Sequence, residues 1–330
     1  MPTHGIHTSS DVAAMIAAGK TLLLAGDEAL LAALPAGAWI GGTSANFMGA
    51  DGGVTTKDTL FVTDLSDVVE KATIRTYDPA SLKTIGQNYP ENGFTAIIVP
   101  GMSEIHGLFA KEVQGFEGVF NAPLVGWISG VHVSEIGKTP PKVFAGNGKA
   151  LGNEAAVMHV ALPKGLVAKL DIVNLFTQST GEPITFDADG FSTEGACHIG
   201  GRPESLAAYI TNNKIDTKLP LVANYNGAMV NVSIQNVDTA AGKVDFYAPV
   251  FKGIEYRFAA PVKDYVGQFT KAAGGSSLGT IGFSCNCILN FLYAELEGKK
   301  TGTLVGPITF GEVAYMLLNQ TLVYLSIEKA

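Results

Sequence analysis

The sequence predicts a mixed α/β protein of the α+β kind, two interdependent halves built from strand–helix–strand repeats and antiparallel hairpins. Three observations carry this. A strand, a helix and a glycine-kinked strand recur three times along the chain. Residues from about 150 to 270 read as short strands separated by Asp-Gly, Asn-Gly and Ala-Gly turns. Glycine makes 39 of 330 residues and charged residues only 16%, against roughly 7% and a quarter in ordinary globular chains.

The elements follow in order. SSDVAAMIA (9–17) reads as a helix capped by Ser9 or Ser10. TLLLAG (21–26) is a strand, DEALLAAL (27–34) a helix with acids in its first turn, and AWIGGTS (38–44) a strand that breaks into a Gly-rich turn. The order returns as FTAIIVP (94–100), SEIHGLFAKEV (103–113) and PLVGWISGVHV (123–133). It returns again as GTIGFSC (279–285), CILNFLYAELE (287–297) and TLVGPITF (303–310). Leu124-Val125-Gly126 lies over the identical Leu304-Val305-Gly306, and the trailing strand PKVFAG (141–146) over TLVYLS (321–326). One such unit cannot bury a core alone, so the copies are expected to pack on one another. EAAVMHVALP (154–163) is a strand, PESLAAYITNN (203–213) a helix with Pro in its first turn, and KDYVGQFTKAA (263–273) a further helix. The Gly-rich stretch GNGKALG (146–152) is read as a linker, giving halves of 1–149 and 150–330. Two domains also suit a chain of this length.

Charge narrows the partners. A net charge of −8 without a local basic cluster argues against nucleic acid, because phosphate neutralisation needs a basic stripe. The longest uncharged runs, Ala29 to Ala50 and Ala272 to Ala294, are broken by Pro35, paired glycines, Asn286 and Asn290, so neither reads as a membrane span. The N-terminus has no basic region ahead of Asp11 and is not a signal peptide. Cys197, Cys285 and Cys287 form no disulfide framework, which fits a reducing, cytoplasmic compartment.

Motifs for known chemistry are weak. Ala14 to Thr21 ends in Gly19-Lys20-Thr21 like a phosphate loop, but a helix precedes it and a strand follows, the reverse of what the phosphates need. Gly146-x-Gly148 has the wrong spacing for a dinucleotide loop. The six histidines show no zinc spacing. His106 follows a strand ending in Pro-Gly, a place where open sheets present side chains to ligands. Ser284 and Cys285 stand at the end of the third-copy strand, a nucleophile position without an evident base. No catalytic residue is assigned.

The C-terminal text GTIGFSCNC (279–287), then LVGPITFGEVAYMLLNQTLVYLSI (304–327), resembles the FIST family of bacterial intracellular sensory domains. IGGTSANFM (40–48) is similar to the Gly-Ser turn of that family's N-terminal half, and PITFDADG and VDFYAPVFKGIEYRFA fit its C-terminal half. The resemblance implies a ligand-binding signalling module for amino acids or their relatives, working with a separate partner such as a histidine kinase, because no output domain is evident. It also implies haem as an alternative cofactor with nitric oxide as signal, for which His106 would be the axial ligand. Asn286-Cys287 stands where the family continues with a Gly-Arg type pair, so a cationic ligand contact is missing there. The strand ends and their Gly-rich breaks are expected to converge on one cleft. Thr43, Ser44 and Asn46 come from the first copy; Ser284, Cys285 and Asn286 from the third; Glu312 and Asn319 from downstream. An enzyme using Cys285 or Ser284 is the other alternative.

Overall fold

The computed structural model describes residues 3–225, 227–274 and 280–330. Gly279, the first residue of the expected third-copy strand, and residues 275–278 of the uncharged run lie outside the described residues. The structure is mixed α+β with strand predominating.

Two compact units make up the chain: residues 1–173, 269–317 and 321–330, and residues 174–268 with 318–320. The first unit opens with β1 (Thr3–His7), α1 (Ser9–Ala17), β2 (Leu22–Gly26), α2 (Glu28–Ala32), β3 (Trp39–Thr43), β4 (Asn46–Gly49), β5 (Gly52–Thr55) and β6 (Leu60–Asp64). It continues with β7 (Lys71–Tyr77), β8 (Gly93–Pro100), α3 (Glu104–Glu112), β9 (Leu124–Ser129), β10 (Val143–Phe144), β11 (Ala150–Leu151), β12 (Ala155–Ala161) and β13 (Leu166–Val173). The second unit holds β14 (Ile184–Thr185), β15 (Gly190–Glu194), β16 (Ala196–Ile199), β17 (Arg202–Ser205), α4 (Leu206–Asn212), β18 (Leu221–Tyr225), β19 (Ala228–Val232), β20 (Ile234–Asp238), β21 (Lys243–Val250) and β22 (Tyr256–Phe258). After α5 (Tyr265–Gly274), the chain completes the first unit with β23 (Thr280–Cys287), α6 (Ile288–Tyr293), β24 (Gly306–Thr309), β25 (Glu312–Ala314), β26 (Met316–Leu318) and β27 (Leu322–Lys329).

The first unit's three six-stranded sheets share one plan. Their orders are β1-β6-β2-β3-β10-β11, β7-β12-β8-β9-β25-β26 and β13-β27-β23-β24-β4-β5. Each has a central parallel pair, β2 with β3, β8 with β9 and β23 with β24, which is the strand–helix–strand unit of the sequence. An antiparallel strand from the same repeat returns beside the pair's first strand: β6, β12 and β27. The last two strands of every sheet come from a different repeat. β4 pairs with β24, β10 with β3, and β25 with β9. The three repeats therefore exchange hairpins in a closed ring, and the second unit is inserted into the third repeat after β13.

Several expectations change here. PKVFAG (141–146) is not the counterpart of TLVYLS (321–326): it contains β10, which crosses to β3, and β12 is the strand equivalent to β27. GNGKALG is no linker, because its Gly146–Gly148 turn joins β10 to its antiparallel partner β11. The compact units accordingly divide at 173/174 and 268/269, with residue 150 inside the first. Thr8, rather than Ser9 or Ser10, caps α1 in a reciprocal pair with Asp11. Ser205, rather than Pro203, marks the start of α4, its hydroxyl accepting from Ala208 N.

β2, β3 and β9 are buried along their whole length, which is why they read as continuous apolar runs without alternation. The repeated Leu-Val-Gly has a backbone cause. A Cβ on Gly126 would stand 1.8 Å from Ile97 O, and one on Gly306 2.0 Å from Ser284 O, each across the central parallel pair. The second unit has its own antiparallel sheet, β17-β16-β14-β22-β18-β19, and a three-stranded one, β15-β21-β20. Its core is built on Phe186, Leu206, Phe246 and Tyr256. Among the described residues, no helix is long and apolar enough to cross a membrane.

Gly126→Ala is expected to cost about 3 kcal/mol or more, since the new methyl strikes backbone and cannot rotate away. Gly107→Ala, in α3 with open space around it, is expected to gain roughly 0.5–1 kcal/mol. Denaturant midpoints of the two variants against the parent check both signs.

Candidate ligand-binding site

The second strand of each parallel pair ends in a buried hydroxyl residue: Thr43, Ser129 and Thr309. The chain leaving each end crosses onto a neighbouring sheet, so the ends are tied together. Gly130 N donates to Thr43 O at 2.8 Å, Ile128 N to Gly311 O at 2.8 Å, and Ser44 Oγ to Ile308 O at 2.7 Å. A cleft of about 430 Å³ opens where β2 and β3 finish and the loop after β9 passes over them. Its floor is Gly26, Thr43, Ser44 and Gly130; its walls include Asp27, Glu28, Lys57, His132 and Glu135. Gly130 has no room for a side chain, since a Cβ there would meet the Phe310 ring at 2.4 Å. Clefts at the carboxyl ends of parallel strands are where open α/β sheets take ligands.

The walls carry charge in excess of neutrality. Lys57 Nζ bonds Glu135 and lies 3.8 Å from Asp27. The bond to Glu135 raises the Lys57 pKa, and the same bond holds Glu135 below the usual carboxylate range. With Glu28, three carboxylates face one ammonium. Asp27 Oδ1 accepts from Ala29 N at 3.0 Å, capping α2. His132 Nδ1 accepts from Ser134 N at 3.3 Å, which leaves Nε2–H as the donor of the neutral ring.

Of the residues singled out from sequence, only Thr43 and Ser44 line this cleft. Thr43 Oγ1 also accepts from Lys142 N at 3.0 Å. Asn46 opens β4, and its Nδ2 donates to Thr55 Oγ1 at 2.8 Å. Ser284 and Cys285 are not at a strand end: β23 runs on to Cys287, held on both sides by β24 and β27. Ser284 Oγ donates to Val305 O at 2.6 Å, Cys285 Sγ to Gly126 O at 3.3 Å, and Asn286 Oδ1 accepts from Asn290 Nδ2 at 2.9 Å. Asn319 belongs to the second unit, where its Oδ1 accepts from Ser233 N at 3.0 Å and Ser233 Oγ at 2.7 Å. His106 Nδ1 accepts from Met102 N at 3.2 Å in the turn that starts α3, and burial pushes its pKa down to about 4. Asp27, Lys57, His132 and Glu135 were missed. Their one sequence signal is polar text just past strand ends, as in Gly26-Asp27-Glu28 and Gly130-Val131-His132.

Glu312 is the most unusual side chain of the first unit. It pairs across the ladder with Trp127, as Phe47 does with Pro307 and Phe144 with Gly41. Two repeats thus fill this fully buried position with a phenyl ring and the third with a carboxyl. Oε2 accepts from Thr321 Oγ1 at 2.7 Å and Thr321 N at 3.3 Å. Burial raises its pKa to about 8, against opposing hydrogen bonds from Thr321 first, then Cys287 and Thr309. Burial, then Glu312 and Cys287, pushes the Cys285 thiol well above its ordinary value. A thiol so protected is the opposite of an activated thiolate. Ser284, donating to a carbonyl, is likewise not arranged as an activated nucleophile.

Fold and site together define a three-repeat α+β protein with a ligand-sized, acidic cleft. The chain belongs to DUF6976, a family of unknown function, whose match spans residues 7–328. No curated protein sequence matches it.

The Glu312 pKa makes stability depend on pH. Because about 8 in the fold exceeds the ordinary 4.5, the native state binds the extra proton between those values. Stability therefore falls as pH rises through that window. Glu312→Gln keeps the neutral acceptor for Thr321 and is expected to flatten the fall by up to one proton's worth. Denaturation midpoints from pH 5 to 9 decide it; an unchanged slope contradicts the assignment.

Proposed function

We propose that the protein is a cytosolic small-molecule-binding sensory module. Its ligand is an amine-bearing compound of amino-acid size, and it passes occupancy to a separate output protein such as a histidine kinase. The observation that carries this is the cleft beyond β2 and β3, whose volume of about 430 Å³ falls in the range of small-ligand sites. Its three carboxylates against one lysine favour a cation. An incoming ammonium competes for Asp27 and Glu135, which frees Lys57 for a ligand carboxylate, and His132 Nε2–H supplies a neutral donor. The resemblance of the C-terminal text and of IGGTSANFM (40–48) to the FIST family is what suggests a sensory role. Catalysis through Cys285 or Ser284 requires exposing groups that are 1% and 2% accessible. Haem ligation by His106 requires opening the turn that begins α3. Ligand binding at the cleft requires neither.

Thermal melts with amino acids, primary amines and dicarboxylates check the reading. A ligand at a hundred times its Kd is expected to stabilise by about 2.7 kcal/mol. Asp27→Asn, which retains a good helix cap, and Glu135→Gln are each expected to weaken the shift by amines. Shifts produced only by dicarboxylates, or amine shifts untouched by both variants, count against the cleft.

A further inference from the structure

β13 ends its sheet, with β27 on one side and no strand on the other among the described residues. Which backbone groups it leaves outward follows from its register. Leu166 pairs with Lys329 and Val173 with Leu322, and just before them Ala330 N donates to Gly165 O at 2.8 Å. In an antiparallel ladder hydrogen-bonded pairs recur at every second residue. The odd-numbered residues of β13 therefore bond β27, and the even-numbered ones turn their N–H and C=O outward. Leu166 agrees, since its carbonyl accepts from Asn92 Nδ2 at 3.1 Å instead. Beyond that point, no acceptor or donor among the described residues meets the outward groups of Ala168, Leu170 and Ile172.

We propose that this edge is an interface for a second copy of the same chain, the two β13 strands pairing antiparallel about a two-fold axis at Leu170. An outward hydrogen-bonded pair must join even residue to even residue, which places the axis at a residue rather than between two. With the axis at Leu170, the residue opposes its own copy and Ala168 opposes Ile172. Each of these pairs exchanges backbone hydrogen bonds in both directions. The same register sets Lys169 opposite Asp171, twice by symmetry. Those are non-hydrogen-bonded pairs, where opposing side chains approach most closely. Axes at Ala168 and Ile172 leave the opposite charges apart, and axes at Lys169 and Asp171 set each charge against its own copy. Lys169 and Asp171 are exposed, and Ile172 is 46% exposed. In the pair, the Lys169 ammonium stands between its present partner Glu328 and the new Asp171. The contrast with the other long edge is informative. β7, at the end of its own sheet, carries Lys71 and Arg75 and no acid, like charges of the kind that guard an edge against pairing. β13 carries one charge of each sign at the spacing that makes it complementary to itself, as an isologous interface requires.

Sedimentation velocity on the full chain over micromolar concentrations is expected to show a reversible dimer. Lys169→Glu and Asp171→Lys are each expected to raise its Kd by about tenfold, and the double exchange to restore it. Thermal melts confirm that each variant is folded. Leu170→Cys is expected to be joined to its copy by a short bis-maleimide, because Cα atoms of a hydrogen-bonded pair stand about 5.5 Å apart, a gap that such a linker spans. The native cysteines are buried and give little background. A monomer at every concentration overturns the proposal. So does a dimer indifferent to both single exchanges, or a dimer in which Leu170→Cys gives no cross-link.

Discussion

The first unit depends on one constraint: no repeat can finish its own sheet. After the second strand of each parallel pair, the chain leaves for another repeat's sheet, and the pair's outer edge is closed by a hairpin arriving from elsewhere. Buried backbone N–H and C=O groups must be paired, so the ladders of β3, β9 and β24 are satisfied only when all three repeats are present. Hairpin exchange makes the three sheets cooperative where three separate strand–helix–strand units would each be marginal. Close backbone approach at Gly126 and Gly306 completes the arrangement.

Exchange also determines where a site can form. It carries the loop after β9 over the ends of β2 and β3, so an acid from α2's cap, a lysine from the β5–β6 connection and a histidine and acid from repeat two face one space. These groups lie on three separate loops. The pseudo-threefold pattern then shows where sequence has departed from what packing alone would select. Glu312 occupies a position that is Phe47 and Phe144 in the other repeats. Burying a carboxyl among apolar groups keeps it protonated near neutrality at a cost that a phenyl ring would avoid. This makes stability sensitive to mildly alkaline pH.

Local pattern carried part of this in advance. The three parallel pairs and their helices were legible because each strand is a continuous apolar run followed by a cap residue such as Asp27 or Ser103. The shared Leu-Val-Gly marked a true equivalence, since both glycines sit where backbones nearly touch. The exchange was not legible. Which sheet β10 joins is decided by register with Gly41 and Gly42, a hundred residues earlier, and nothing in PKVFAG reports it. For the same reason Gly146–Gly148 read as a linker when it is a hairpin turn. Ser284 and Cys285 looked terminal because polar residues follow. Pairing from both sides extends β23 to Cys287 and buries them. Thr43 and Ser44 were found because the site uses a strand end; Lys57 and Glu135 were not, because their proximity is made entirely by the fold.

Amide chemical-shift mapping on the full chain, titrated with a panel of primary amines and amino acids, tests the cleft most directly. Saturable shifts are predicted at Gly26, Thr43, Ser44 and the Gly130–His132 loop, with β13 and the second unit unmoved. Saturable shifts confined to other residues, or none across the panel, would contradict a ligand site at the ends of β2 and β3.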